Sequence, residues 1–251
     1  MHADVTMVST PSGTAFAMLS PQRHALAPTL LLLAADAEGT LTTEPYRRTG
    51  RLLHARGWNV LALDLPCHGA DRRADEPEQL AGWAARTTAG ENFVAPFQRR
   101  AHDALAHLVA TGLADPQRIA AAGTSRGGFM AFHAAAGSPL LRAVAGFAPV
   151  TDLLALLEFA GQEHNPLVHQ LALPTCADVL ADRATWLMIG NADDRVDTDR
   201  VIAFTRALVR AATRRSLLAQ MTLHVLPTPG HSSEAAWHDE AAYWLAGVIP
   251  R

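Results

Sequence analysis

Cysteine is nearly absent. The chain holds two, Cys67 and Cys176, far apart and in no metal-ligand spacing, which argues against a disulfide scaffold and a cysteine-built metal site. Charge is sparse too: charged residues make up 18% and the formal net charge is -3, so no basic footprint points to nucleic acid or an anionic membrane. That balance favours a small neutral substrate. The longest apolar run, residues 30–35, is far too short to cross a bilayer, so no membrane partner is expected. Residues 1–20 lack the basic and apolar segments of a signal peptide, the polar Ser9-Thr10-Pro11-Ser12-Gly13 arriving where one is hydrophobic. With two reduced thiols, this predicts a cytoplasmic location. H-E-x-x-H, P-loop and G-x-G-x-x-G patterns are missing, so no metal, nucleotide or dinucleotide cofactor is expected.

What is present is an ordinary globular composition, 49% apolar over 251 residues, which suits one α/β domain spanning 1–251. Residues 5–9 and 15–19 read as a hairpin about the turn residues 10–14. The aliphatic run 29–34 reads as a strand buried on both faces. A helix over 43–56 stopped by Gly57 follows, then a strand at 59–63, a loop at 66–73 and helices at 77–89 and 93–111. After an Asp115-Pro116 turn come strands at 119–122, 143–148, 185–189 and 222–226, with helices at 126–136, 201–212 and 234–248. This alternation predicts a mainly parallel, twisted sheet of about eight strands with helices on both faces. Residues 151–183 interrupt it. Leu153, Leu156, Leu157 and Ala160 fall at helical spacing there, so the stretch is expected to form a small helical cap, extra core packing being the other reading.

Gly123-Thr124-Ser125-Arg126-Gly127 is a G-x-S-x-G sequence placed where a predicted strand turns into a predicted helix. Chance supplies such a pentapeptide about 0.04 times in a chain of this composition, and the context lowers that further. A sharp turn there lifts a serine hydroxyl clear of the sheet and needs small residues on either side. A hydroxyl is a weak nucleophile, so a base must take its proton and a third group must orient the base. Among 12 histidines, His231 sits in a Pro/Gly loop at the carboxyl end of a predicted strand, whereas His224 falls inside a strand and His238 inside the last helix. Asp193 and Asp194 follow the preceding strand and either could be the acid.

Asp115-Pro116-Gln117-Arg118-Ile119, the elbow with Gly128, and Ala148-Pro149-Val150-Thr151-Asp152 resemble the catalytic domain of the prolyl oligopeptidase-like branch of α/β-hydrolases. The resemblance implies the α/β-hydrolase fold from Leu30 onward. It also implies an acid loop of the form G-x-x-D-x-x-V, which Gly190, Asp193 and Val196 fit, favouring Asp193. Many relatives carry His-Gly after the third strand, whereas this chain has Ala34-Ala35-Asp36-Ala37-Glu38-Gly39. The oxyanion hole is therefore expected from the Arg126 N–H and from that of Asp36 or Ala37, with the Asp36 carboxylate turned away or partnered. Asp64-Leu65-Pro66-Cys67-His68-Gly69 resembles a structural turn of the superfamily, His68 shaping the pocket wall and Cys67 lacking the elbow a nucleophile needs.

These readings predict a serine hydrolase with the triad Ser125, His231 and Asp193, cleaving small carboxylic esters through an acyl-enzyme. Relatives of the resembled branch that cut peptides add a propeller domain; with about thirty residues before the first core strand, none is expected here. A peptidase or amidase with the same triad, and a catalytically silent binding protein on the same fold, are the rival readings. A homodimer is the base-rate expectation for assembly.

Overall fold

The computed structural model describes residues 4–19 and 26–249; positions 1–3, 20–25 and 250–251, which the reading of one domain over 1–251 includes, lie outside the described residues. The elements run β1 (Val5–Ser9), β2 (Ala15–Leu19), β3 (Ala27–Leu33), α1 (Ala37–Thr42), α2 (Arg47–His54), β4 (Asn59–Ala62), α3 (Gln79–Thr88), α4 (Val94–Ala110), β5 (Ala114–Thr124) and α5 (Arg126–Gly137). They continue as β6 (Leu141–Phe147), α6 (Pro166–Leu171), α7 (Ala177–Leu180), β7 (Ala184–Ala192), α8 (Thr198–Arg214), β8 (Met221–Pro229) and α9 (Ala235–Val248). The strands form one open sheet in the order β1-β2-β4-β3-β5-β6-β7-β8, with helices on both sides. β1 and β2 pair antiparallel, as does β2 with β4; every other pairing is parallel.

The sequence explains the layering. Leu30 to Leu33 are each 2% exposed or less, because a central strand is covered on both faces and cannot alternate. β5 and β6 are built from small residues, Ala120, Ala121, Ala122, Ala143 and Gly146, which let α5 lie close against the sheet. α5 then fills the layer with Phe129 and Phe132. Phe132 meets Phe204 of α8 edge to face at 5.1 Å, and Phe129 meets Trp83 of α3 at 5.8 Å. Each such ring contributes roughly 1.5–3 kcal/mol through burial.

The strand order also fixes where a ligand belongs. From β3 the chain turns through α1 and α2 to β4 on one side, while from β5 it turns through α5 to β6 on the other. Neighbouring strands whose connections diverge leave a crevice beyond their carboxyl ends. Here that crevice lies between Leu33 and Thr124, immediately before Ala34 and Ser125.

Three readings are revised. The helix expected over 43–56 starts only at Arg47, as α2, because Pro45 breaks the run and Thr43 is extended; a separate short helix, α1, capped by Asp36, precedes it. The Asp115-Pro116 turn lies within β5 as a bulge, the register moving from Ala27 opposite Ala114 to Thr29 opposite Ile119, and Gln117 N–H donates to Asp115 at 2.9 Å. The 151–183 stretch carries short 3-10 turns, α6 and α7 in place of a continuous helix. Leu156 is extended, so Leu153 and Leu156 are buried while Leu157 is 83% exposed. This stretch packs on α3 and α5: Asn165 donates to the Thr87 carbonyl, and His133 Nε2 donates to the Leu171 carbonyl. No described helix is long and apolar enough to cross a membrane.

Candidate active site

Ser125 sits between β5 and α5 at φ 53 and ψ -115, a conformation that costs a non-glycine residue about 1–3 kcal/mol. Its own backbone holds it there. Ser125 N–H donates to the Phe147 carbonyl at 2.8 Å, and its carbonyl accepts from Phe129 and Val150, both at 3.1 Å. The flanking glycines are steric necessities: a Cβ on Gly123 would lie 2.2 Å from the Gly127 carbonyl oxygen, and one on Gly127 would lie 2.0 Å from that of Leu33.

The other two groups leave neighbouring strand ends. Ala192 of β7 is opposite Pro229 of β8, so Asp193 and His231 emerge one and two residues later, side by side. A Cβ on Gly190 would meet Thr228 Oγ1 at 2.4 Å, which is why the acid loop opens on glycine. The Ser125 hydroxyl donates to His231 Nε2 at 3.0 Å, and His231 Nδ1–H donates to Asp193 Oδ2 at 2.8 Å. The Asp193 side chain is fully enclosed, and its Oδ1 accepts the N–H groups of Arg195 and Val196, each at 3.1 Å. Asp194, the other carboxylate, is exposed. Asp197, not Asp194, caps α8, accepting from Asp199 and Arg200.

Two backbone amides at the ends of β5 and β3 are unengaged. Arg126 N–H is the first of α5 and makes no hydrogen bond among the described residues. Of the two alternatives after β3, Ala37 is ruled out as a donor because its N–H is spent on Asp64 Oδ1 at 2.7 Å. The Asp36 N–H makes no hydrogen bond among the described residues, and the Asp36 carboxylate turns to cap α1, accepting from Gly39 N–H at 2.7 Å.

The cleft around Ser125 and His231 measures about 350 Å³, with Pro45, Tyr46, Leu80 and Arg195 among its walls. Sequence reading missed these wall residues. Pro45 and Tyr46 lie at the break between α1 and α2, which the proline itself signalled; Leu80 and Arg195 reach the cleft only through tertiary packing. None of residues 151–183 lines it, although Glu158 touches its edge through Arg195. His68 is buried beside the cleft without lining it: Nδ1–H donates to the Pro66 carbonyl at 2.8 Å, and burial lowers its pKa. Cys67 is enclosed, and desolvation raises its thiol to about 12, which leaves it inert as a nucleophile.

The structure can be set beside others. It superposes on TT1662 from Thermus thermophilus with a TM-score of 0.73 at 18% identity, covering 100% of both chains. It superposes on dipeptidyl peptidase 4 from Porphyromonas gingivalis with a TM-score of 0.67 at 16% identity, covering 97% of this chain and 35% of that one. With acetyl xylan esterase 1 from Thermoanaerobacterium sp. the TM-score is 0.66 at 13% identity, over 100% of this chain and 89% of the esterase. These likenesses establish the α/β-hydrolase fold. No curated protein sequence matches the chain significantly. Residues 100–249, more than half of the chain and inclusive of Ser125, Asp193 and His231, match the prolyl oligopeptidase family, and the chain belongs to that family of serine hydrolases.

Proposed function

We propose that the protein hydrolyses small carboxylic esters by acyl transfer to Ser125. The observation that carries this reading is the unbroken chain Ser125–His231–Asp193. Ser125 Oγ attacks the carbonyl carbon as His231 Nε2 takes its proton, and Asp193 holds the Nδ1–H tautomer that leaves Nε2 free to accept. The carbonyl oxygen, now negative, is met by the N–H groups of Arg126 and Asp36, fixed by the elbow and the capped α1 before reaction begins. The tetrahedral adduct expels the alcohol, protonated by the imidazolium, and water repeats the sequence on the acyl-enzyme.

Ester in place of peptide is supported by the compact size of the cleft, about 350 Å³. Family membership favours the second reading, a peptidase on the same machinery. The test compares kcat/KM for short-chain nitrophenyl esters with that for aminoacyl and prolyl nitroanilides. Anilide turnover matching that of the esters overturns the ester reading, and failure of Ser125 to react with a fluorophosphonate overturns both in favour of a silent binding protein.

A further inference from the structure

The cleft beside Ser125 is lined by two arginines and by no acidic side chain. Their surroundings treat the two differently. Arg195 is neutralised, its Nη2 lying 2.6 and 2.9 Å from the carboxylate oxygens of Glu158, which comes from the 151–183 stretch. Arg126 is not. Its Nε–H donates to the Ala34 carbonyl at 3.2 Å, tying the guanidinium to the end of β3. Among the described residues its two Nη groups make no hydrogen bond and it joins no ion pair. Burial lowers its pKa and Arg195 adds to that, while Tyr46 and the Glu158 carboxylate act against it from a distance, yet a guanidinium stays charged at neutral pH. A half-buried cation with no carboxylate in direct contact leaves its site favourable to an incoming anion.

We propose that Arg126 is a specificity residue that anchors a carboxylate on the substrate, so the preferred substrates are esters bearing a free carboxylate. This rests on Ser125 being the nucleophile. The net charge of -3 led to the expectation of a neutral substrate, but that value averages over the surface, whereas the charged side chains that line the cleft are both arginines. The planar guanidinium presents paired N–H groups that match a carboxylate, as a point charge does not. Arg126 also adjoins the nucleophile in the chain, so an anion held by it fixes the scissile carbonyl near Ser125 Oγ without help from a long groove.

The test uses matched ester pairs. One is the mono-nitrophenyl ester of glutaric acid against its methyl-capped counterpart, with the carboxylate on the acyl side. The other is the acetate of hydroxybenzoic acid against the acetate of its methyl ester, with the carboxylate on the alcohol side. In one of the two pairs the wild-type protein is expected to favour the anionic ester about 10- to 100-fold in kcat/KM, mostly through KM, the size of a charge-assisted hydrogen bond. Arg126→Met should bring that ratio to 1 or below, and Arg126→Lys should keep part of it. Glu158→Gln, which frees Arg195, should raise it. Ratios at or below 1 in both wild-type pairs, or a ratio that Arg126→Met leaves in place, overturn the proposal. If no ester is turned over and Ser125 takes no label, the hydrolase reading fails instead. The anchor is then decided by calorimetric titration with the glutarate half-ester, where binding unaffected by Arg126→Met overturns it and binding lost supports it.

Discussion

Replacing Asp193 by asparagine changes one oxygen to an amide nitrogen, and the structure dictates where that nitrogen goes. The carboxylate accepts three hydrogen bonds: Oδ1 takes the N–H groups of Arg195 and Val196, and Oδ2 takes His231 Nδ1–H. An asparagine oxygen must stay on the two backbone donors, since turning the amide would aim its NH2 at both of them. The NH2 therefore faces His231 Nδ1, which becomes the acceptor, and the ring proton moves to Nε2, opposite Ser125 Oγ. The base then has nothing with which to accept the serine proton. The expected loss is about 10⁴-fold in kcat, or about 5.5 kcal/mol of barrier, with KM little changed. Because the buried hydrogen bonds persist, the thermal midpoint should move by no more than about 4 °C. Steady-state hydrolysis of a nitrophenyl ester beside a calorimetric melt measures both. Asp194→Asn, at an exposed carboxylate, should stay within about threefold of wild type. Asp152→Asn probes a carboxylate that pairs with Arg200 and caps Leu154, so it should act on stability before rate. The reasoning is refuted if the Asp193→Asn enzyme keeps more than a tenth of its turnover, or if either control is the more damaging.

Three further outcomes follow from the same structure. Ser125→Ala should abolish fluorophosphonate labelling and leave the melt unchanged within a few degrees; labelling that persists at another serine removes Ser125 from its role. Gly127→Ala, whose Cβ would lie 2.0 Å from the Leu33 carbonyl oxygen, should cost about 3 kcal/mol or more and lower the midpoint by about 6–12 °C, while Gly247→Ala, with nothing within 4 Å, should be neutral; equal melts for the two would contradict the packing at the elbow. His133 and His238 are buried and each is lowered from 6.5 to about 4 by desolvation, so the unfolded chain binds protons more readily; stability is fully present above 6.5, and falls as pH drops from 6.5 towards 4, by about 2 kcal/mol for each histidine at pH 5. Denaturant midpoints that stay flat between pH 7 and 5 would refute that.

The groups proposed to react were legible in the sequence because each sits at a punctuated junction. Gly123 and Gly127 bracket Ser125, Gly190 opens the acid loop, and Pro229-Gly230 precedes His231, each glycine or proline marking the end of a strand. Apart from Pro45, the walls of the cleft carry no such local mark. Ala37 and Asp64 are 27 positions apart, so nothing near Ala37 reveals that its N–H is taken. The Arg195–Glu158 pair spans 37 positions and depends on how the 151–183 stretch folds back. That stretch was also the hardest to read, because 3-10 turns with an extended residue between them keep no helical period, and Leu157 faces solvent at a position the spacing had given to the core.

The site is shared between strands of unequal security. Ser125 follows β5, which is bonded to β3 and β6, and Asp193 follows β7, bonded to β6 and β8. His231 follows β8, an edge strand that among the described residues pairs with β7 alone and has no fully buried residue. Peeling that one strand away is a local opening well short of unfolding the sheet, and it would carry off the base while the nucleophile and the acid keep their places. Catalysis in this protein is therefore as durable as its rim, and heat should silence the enzyme in molecules whose centre is still folded.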